Sequence, residues 1–331
     1  GYYPKGGGFA IPRALVRGLK RAGGELRLST RVDKILIEGG RAIGVRLADG
    51  TEIRARRVIS NADPGVTFGR LIGREHLSKA LAKRLDRTKW SISALSLFMA
   101  ADIDAEALGL DSGNYWYSDQ PDIESVYRTM MTPQALEIED LPGLFLTVTT
   151  LKDRSKRHGN AHTMESFWFV PYQPFAAWAK STFGERPEDY QRMKETLKRR
   201  MIRAAAKIVP GLEEKIVFSD LGTPLTNEHY CAGTAGNIYG TEKSIWQVGP
   251  WSYPLKTEFG GLHLCGSSTV SHGVMGAMFS GLLVARNILG VEFRELFRQG
   301  GPELQVYPCD DVSAWPERLR PREEAAVLAG A

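Results

Sequence analysis

The chain has 331 residues, 43% of them hydrophobic, and a formal net charge of +5. This length can bury a large core in one or two domains. No run approaches the roughly 18 apolar residues that span a bilayer, and the N-terminus lacks a charged-then-apolar signal pattern. A cytoplasmic protein, free or peripheral to a membrane, is therefore expected.

Basic residues concentrate in two stretches, residues 152–158 and 198–207. Neither is interleaved with the aromatic residues of a single-strand nucleic-acid groove, so nucleic acid is not an expected partner. Attraction to an anionic membrane is expected instead, with residues 152–157 on the contacting face. A disulfide framework or a zinc site is not expected, because the cysteines are few and far apart: Cys231, Cys265 and Cys309.

Residues 6–64 predict a glycine turn, a helix and a set of short strands. Ile11, Leu15 and Leu19 recur at helical spacing and predict a helix over residues 10–22. Four runs rich in β-branched and aliphatic residues follow, at residues 25–29, 31–38, 41–47 and 51–60. Their length and punctuation by glycine predict a small antiparallel meander.

The middle of the chain predicts one sheet covered by a helix. Residues 69–89 predict a short amphipathic helix that leads away from the meander. Strands are predicted at residues 90–101, 144–151 and 166–170, and a helix over residues 188–208 should cover one face of their sheet.

Aromatic residues are abundant in this middle part of the chain. Strand alternation sends Phe167 and Phe169 to one face of the sheet and Trp168 to the other. Two interpretations stay open: these rings pack in the core, or one side of the sheet lines an apolar pocket.

The last block predicts a strand at residues 262–265, a small-residue turn at 266–273 and a helix over residues 276–289. A helix start that follows a strand and a glycine turn presents unpaired amides and the positive end of the helix dipole, which suit an anion. The alternative is a turn whose glycines serve only close packing.

Two histidine motifs do not predict a site of their own. His158 and His162 have the spacing of two metal ligands, but the glutamate base of a metalloprotease is missing, so no metal is expected. Ser271 and His272 are adjacent and cannot face each other as a nucleophile and its base, which argues against a hydrolase.

Two blocks of sequence together resemble a known family. The first contains YPKGGGFAIPRAL, GGELRLSTRVDKILIEGGRAIGVRLADG and VISNADP; the second contains GNIYGTEKSIWQVGP and GLHLCGSSTVSHGVMGAMFSGLLVARNIL. In this order they resemble FAD-dependent oxidoreductases of the phytoene desaturase, carotenoid isomerase and retinol saturase group, itself related to amine oxidases.

The resemblance implies a fold and a division into domains. The fold is an α/β (α+β) arrangement: an incomplete GR2-type Rossmann-like FAD-binding domain plus a sheet-and-helix substrate domain. The N-terminal βαβ unit is missing, since no G-x-G-x-x-G fingerprint follows a strand. The implied segments are residues 1–70 in the FAD-binding domain, 71–235 in the substrate domain, 236–295 completing the FAD-binding domain, and a tail at 296–331.

The resemblance also implies which residues meet FAD. They are Val32, Asn61, Ala62, Gly266, Ser267, Val274, Met275, Gly276 and Ala277. The amides of residues 274–277 are expected near the pyrimidine edge of the flavin, and Gly276 is expected to leave space for the ring. His272 is a candidate catalytic side chain, with a satisfied loop histidine as the alternative.

The implied function is hydride transfer between FAD and a C–C bond of an apolar, polyene- or isoprenoid-like small molecule. The chain is expected to be a C-terminal fragment or subunit, inactive alone, that needs a missing N-terminal FAD-binding segment or a second chain. Two alternatives stay open: a flavin amine oxidase with an aromatic cage, and a non-catalytic interaction protein that has lost its nucleotide-binding unit.

Overall fold

The computed structural model describes residues 2–157, 159–297 and 303–320. Its α-helices in this part of the chain are α1 Ala10–Arg21, α2 Lys79–Arg87, α3 Ile123–Met130, α4 Thr149–Lys152, α5 Glu188–Ala206, α6 Leu212–Lys215, α7 Pro224–Cys231 and α8 Gly273–Leu289. Its strands are β1 Val32–Glu38, β2 Arg41–Leu47, β3 Glu52–Arg54, β4 Val58–Ser60, β5 Ser93–Asp102, β6 Asn114–Ser118, β7 Gly143–Val148, β8 Ala161–Val170, β9 Ile216–Gly222 and β10 Leu262–Leu264.

The described residues fall into two compact units. We call the parts within residues 1–26, 94–223 and 303–331 the sheet unit, and those within residues 27–93 and 224–302 the meander unit. The four segments expected from the sequence stay a prediction. His158, and residues 298–302 and 321–331 of the expected tail, lie outside the described residues.

The meander unit is built on an antiparallel sheet of order β1-β2-β3 and on a parallel pair, β4 with β10. Its apolar core joins the two, since Ile35 of β1 is buried in one cluster with Leu262 and Leu264 of β10. A π-helix, Gly65–Gly73, contributes Phe68 and Ile72 to the same cluster.

The expected four-run meander is wrong in two places. Residues 25–29 form no strand, and Leu28 is 76% exposed. Residues 51–60 form two strands with different partners. β3 pairs with β2, while the amide of Val58 donates to the carbonyl of Gly261 and starts the parallel pair with β10.

The expected helix over residues 69–89 is also divided. The π-helix ends at Gly73, whose φ of +99° is incompatible with continuing a right-handed helix, and α2 begins after the N-cap Ser78. The hydroxyl of Ser78 accepts from the amide of Leu81 at 3.1 Å, which fixes the start of α2.

The sheet unit holds a five-stranded sheet of order β6-β7-β8-β5-β9. β5, β7, β8 and α5 confirm the strands and the long helix expected from the sequence, although β7 ends at Val148, where α4 begins. Helix α5 packs on β7, β8 and β9. Trp168 of β8 and Met201 of α5 are at most 1% exposed, so this face of the sheet carries the core. Within the described residues, every helix is too short or too polar to cross a bilayer.

Candidate functional site

The parallel pair β4 and β10 brings together two segments that are far apart in the sequence. Its register places Val58 opposite Leu262 and Ser60 opposite Leu264, so both strands end at the same edge. Asn61 follows β4 and Cys265 follows β10, and the Cys265 Sγ lies 3.7 Å from the Asn61 Oδ1. The carboxyl edge of parallel strands is where α/β folds bind ligands.

A cavity of about 160 Å³ opens at this edge. Three residues expected to meet FAD line it, namely Asn61, Ala62 and Ser267, together with Asn237 and Cys265. The structure therefore brings part of the sequence-based site into one place, although its contact with FAD stays a prediction.

The glycine turn after β10 is packed closely against the turn after β4. Gly266 has a φ of +98°, and a Cβ there would lie 2.5 Å from the Asn61 Oδ1. Its amide donates to the Ser280 hydroxyl of α8 at 2.7 Å. The left-handed backbone conformation and the close approach to Asn61 both favour glycine at position 266.

Asp63 fixes a loop that sequence reasoning did not connect with the site. Its carboxylate accepts hydrogen bonds from the amide and hydroxyl of Thr234, at 2.6 and 2.8 Å, and from the Asn237 side chain at 3.0 Å. It also accepts from the Val66 amide at 2.9 Å. Since Asn237 lines the cavity, Asp63 holds one wall in position. Asp63 before Pro64 predicted a turn, but nothing local indicated the partner loop.

Helix α8 begins at Gly273, three residues earlier than the sequence predicted. Its N-cap His272 makes no side-chain capping bond, and its first turn carries no acidic residue. The first amides, at Gly273, Val274 and Met275, therefore have no helical partner. Val274 is 58% exposed and Met275 is 78% exposed, so this positive helix end is open to a ligand.

The earlier start of α8 changes the roles expected for Gly276 and Ala277. In a helix that begins at Gly273, the amides of Gly276 and Ala277 bond to carbonyls one turn back and are not free for a ligand. A Cβ at Gly276 would lie 2.6 Å from the backbone of Ser271. Close packing against Ser271 therefore explains why a glycine stands at position 276. The expected role of Gly276 beside the flavin ring stays a prediction.

Val32 lies apart from the cavity lining. It opens β1 and packs, partly buried, against the apolar core of the meander unit. Its expected FAD contact stays a prediction.

Two side chains near the turn were not expected from the sequence. The ammonium of Lys243 donates to the carbonyl of Ser267 at 2.6 Å, and burial lowers the pKa of this lysine. The ring of Tyr239 lies 4.8 Å from that of the exposed His272, at an interplanar angle of 55°. His272 therefore has an aromatic neighbour beside the open end of α8.

The sheet unit contains an aromatic pocket of about 250 Å³, whose lining includes Trp116, Phe145, Phe167 and Phe169 and also Trp168. The rings of Phe145 and Phe167 are stacked at 4.6 Å, and those of Trp116 and Phe169 lie 5.6 and 5.1 Å from Phe167. Both interpretations of the aromatic residues hold in part, since Trp168 is 1% exposed in the core while the partly exposed rings beside it line a pocket.

Comparison with known proteins gives the following. A family model described as flavin containing amine oxidoreductase matches residues 2–289. All-trans-retinol 13,14-reductase of Danio rerio is 28% identical over 299 residues, which cover 87% of this chain and 49% of that protein. Chloroplastic prolycopene isomerase of Arabidopsis thaliana is 30% identical over 289 residues, covering 86% of this chain and 45% of that protein. The chain spans about half the length of these relatives.

Solved structures share the fold at lower identity. An oxidoreductase from Methanosarcina mazei has a TM-score of 0.57 at 20% identity, covering 86% of this chain and 55% of that one. Putrescine oxidase bound to putrescine has a TM-score of 0.55 at 13% identity, covering 87% and 54%.

Proposed function

The chain belongs to the flavin containing amine oxidoreductase family, and on that premise we propose that it is the C-terminal part of an FAD-dependent oxidoreductase that acts on a polyene. The cofactor is FAD. The observation that carries the proposal is the uncapped, acid-free start of α8, beside the glycine turn at the carboxyl edge of β4 and β10. This arrangement fits a cofactor that becomes more negative when it is reduced.

FAD supplies hydride exchange with carbon when it is bound. The protein's own part is electrostatic: the amides of Gly273, Val274 and Met275 and the dipole of α8 stabilise negative charge without an ionisable side chain. Lys243 holds the carbonyl of Ser267 and keeps the turn in position. Saturation or desaturation of a C–C bond also moves one proton at the neighbouring carbon, which water or a side chain supplies or takes up.

We also propose that a nucleotide-binding βαβ unit, from the same polypeptide or from a second chain, covers part of the meander unit. A two-stranded parallel pair is too small to be stable alone, and parallel sheets are normally buried on both faces. Yet Ile59 of β4 is 52% exposed, and Phe279 of the apolar helix α8 is 40% exposed. The 331-residue chain alone should then hold FAD weakly and be inactive. Stoichiometric flavin that co-purifies with this chain alone would contradict the proposal.

The aromatic pocket supports an elongated apolar substrate. Its stacked rings offer a flat, apolar wall that suits a conjugated chain. The two relatives described above are named for retinol and prolycopene, and both of these compounds are polyenes. Saturation, desaturation and isomerisation are equally compatible with this pocket.

A flavin amine oxidase is the second candidate, because the Tyr239 and His272 rings form a tilted pair beside the open end of α8. The two functions are separated by incubating the assembled flavoprotein with all-trans-retinol, a poly-cis carotene and a primary amine. If the protein acts on polyenes, chromatography should show a new polyene product. Hydrogen peroxide released from the amine alone would favour the oxidase.

The flavin site is tested by Val274→Asp, with Val274→Asn as the neutral control of the same shape. An aspartate in the first turn stabilises a helix by about 0.3–1 kcal/mol, so the melting temperature should not fall. The same charge repels an anionic cofactor edge, so in the assembled flavoprotein the flavin bound per protein should drop at least severalfold in the aspartate variant only. Full flavin content in both variants would show that α8 does not face the flavin.

A further inference from the structure

A cleft of about 610 Å³ lies in the meander unit, between the C-terminal end of α2 and residues 241–253. Four basic side chains line it: Lys83, Arg84, Arg87 and Lys89. Trp246 and Trp251 line the opposite side. It combines positive charge with flat apolar surface, and neither the flavin site nor the aromatic pocket includes these residues.

Hydrogen bonds hold the two sides of the cleft together. The guanidinium of Arg84 donates to the Trp251 carbonyl at 2.7 Å and lies 4.2 Å from the centre of the Tyr253 ring. The Gln247 side chain accepts from the Lys89 amide at 3.0 Å and donates to the Lys89 carbonyl at 2.9 Å. The cleft is therefore formed before any ligand arrives, which reduces the entropy lost on binding.

The positive charge of the cleft is largely uncompensated. Among the ion pairs of the described residues, none involves Lys83, Arg87 or Lys89. Glu242 is the acidic side chain of the lining, and its Oε2 is buried without a hydrogen-bond partner there. Thr241 is 1% exposed, and its hydroxyl also lacks a partner among the described residues. The net positive charge of the lining suits an anionic ligand.

Large apolar side chains stand at the rim. Ile245 is 72% exposed, Trp246 is 73% exposed and Trp251 is 60% exposed. Tryptophan is enriched where one end of a side chain meets lipid and the other meets water, whereas a soluble phosphate would need no exposed isoleucine beside it. Exposed apolar anchors next to basic residues match a lipid surface.

We propose that this cleft docks the protein on a membrane by binding the headgroup of an anionic phospholipid such as phosphatidylglycerol. The basic side chains hold the phosphate, and the rim residues enter the interface. Two of the basic residues in the stretch 152–157, which the sequence predicted to contact the membrane, make contacts within the sheet unit instead. Lys152 donates to the carbonyls of Ser112 and Gly113, and Arg154 pairs with Glu106 at 2.7 Å.

The test is flotation of the assembled flavoprotein with vesicles of phosphatidylcholine, alone or containing phosphatidylglycerol. Wild type should float with the anionic vesicles at low salt and be released at high salt. Lys83→Glu/Arg87→Glu should weaken this partitioning at least tenfold. Arg199→Glu/Arg203→Glu, an exposed pair at the same spacing on α5, makes the same change in net charge and should have a much smaller effect. Trp246→Ala should weaken binding at every salt concentration.

The remaining outcomes separate lipid from free phosphate. Glycerol phosphate at millimolar concentration should neither displace the vesicles nor change the tryptophan fluorescence. If it saturates the cleft and wild type ignores anionic vesicles, the site binds soluble phosphate esters and the membrane proposal is wrong. Equal loss of flotation in the α2 and α5 variants would also overturn it, since the cleft would then be irrelevant. A loss of flavin in the α2 variant would show that another part of the protein covers the cleft.

Discussion

Replacing Asp63 with alanine should destabilise the protein strongly. The carboxylate accepts four hydrogen bonds from the loop at residues 234–237 and from the Val66 amide. At roughly 1 kcal/mol net for each bond, and less than full additivity, the free energy of unfolding should fall by about 3–4 kcal/mol. That is a large fraction of the roughly 5–15 kcal/mol that stabilises a typical protein.

A second variant, Asp63→Asn, separates the contributions of the two carboxylate oxygens. In this variant one oxygen can still accept from Val66 and the Thr234 hydroxyl, whereas an amide nitrogen replaces the oxygen that faces the Thr234 amide and Asn237. Its loss should be about half that of Asp63→Ala, or about 2 kcal/mol. Asp33→Ala removes an exposed ion pair with Arg46 and should cost less than about 1 kcal/mol.

Urea unfolding of the three variants, followed by tryptophan fluorescence, measures these differences. Flavin content measured on the same samples shows whether the loop wall is needed for cofactor binding. A loss below about 1 kcal/mol for Asp63→Ala would refute the reasoning, because the four bonds would then contribute nothing net. Equal losses for Asp63→Ala and Asp33→Ala would refute it in the same way.

The other predictions concern the sheet unit. Trp168→Ala should cost about 3–5 kcal/mol in urea unfolding, because the ring is 1% exposed, whereas Trp116→Ala should leave stability nearly unchanged. Phe167→Ala should raise the KM for a polyene without a matching change for a small amine, and an equal change for both would contradict the pocket assignment. Burial lowers the pKa of His162, so the unfolded chain takes up its proton first as the pH falls, and stability present above about pH 6.5 is lost below it. His162→Gln should reduce the difference between the urea midpoints at pH 7.5 and pH 5.5, and an unchanged difference would exclude this histidine as its source.

Local sequence patterns were sufficient to predict the elements that are marked by their own hydrophobic periodicity or by flanking glycines. α1 and α5 lie within a few residues of their predicted bounds, and β1 and β2 are separated at Gly39-Gly40, as the glycine punctuation of the sequence predicted. These signals are short-range, since a helix repeats every 3.6 residues and a strand every two. Strand alternation also fits β8, in which Trp168 is buried whereas Phe167 and Phe169 are partly exposed.

The site required contacts that no local pattern contains. Asn61 and Cys265 are 204 positions apart, and only the parallel pairing of β4 with β10 brings them together. The Asp63 contact with Thr234 depends in the same way on a distant partner.

The sequence by itself determined the family resemblance, the main helices and the alternation of the aromatic strand. The tertiary structure decided that residues 51–60 divide between two sheets, and that Lys152 hydrogen-bonds within the sheet unit while Lys83, Arg87 and Lys89 line a cleft. The physical reason is the same in each case. A residue's type sets which contacts it can make, but strand pairing and exposure depend on which distant groups the folded chain places beside it.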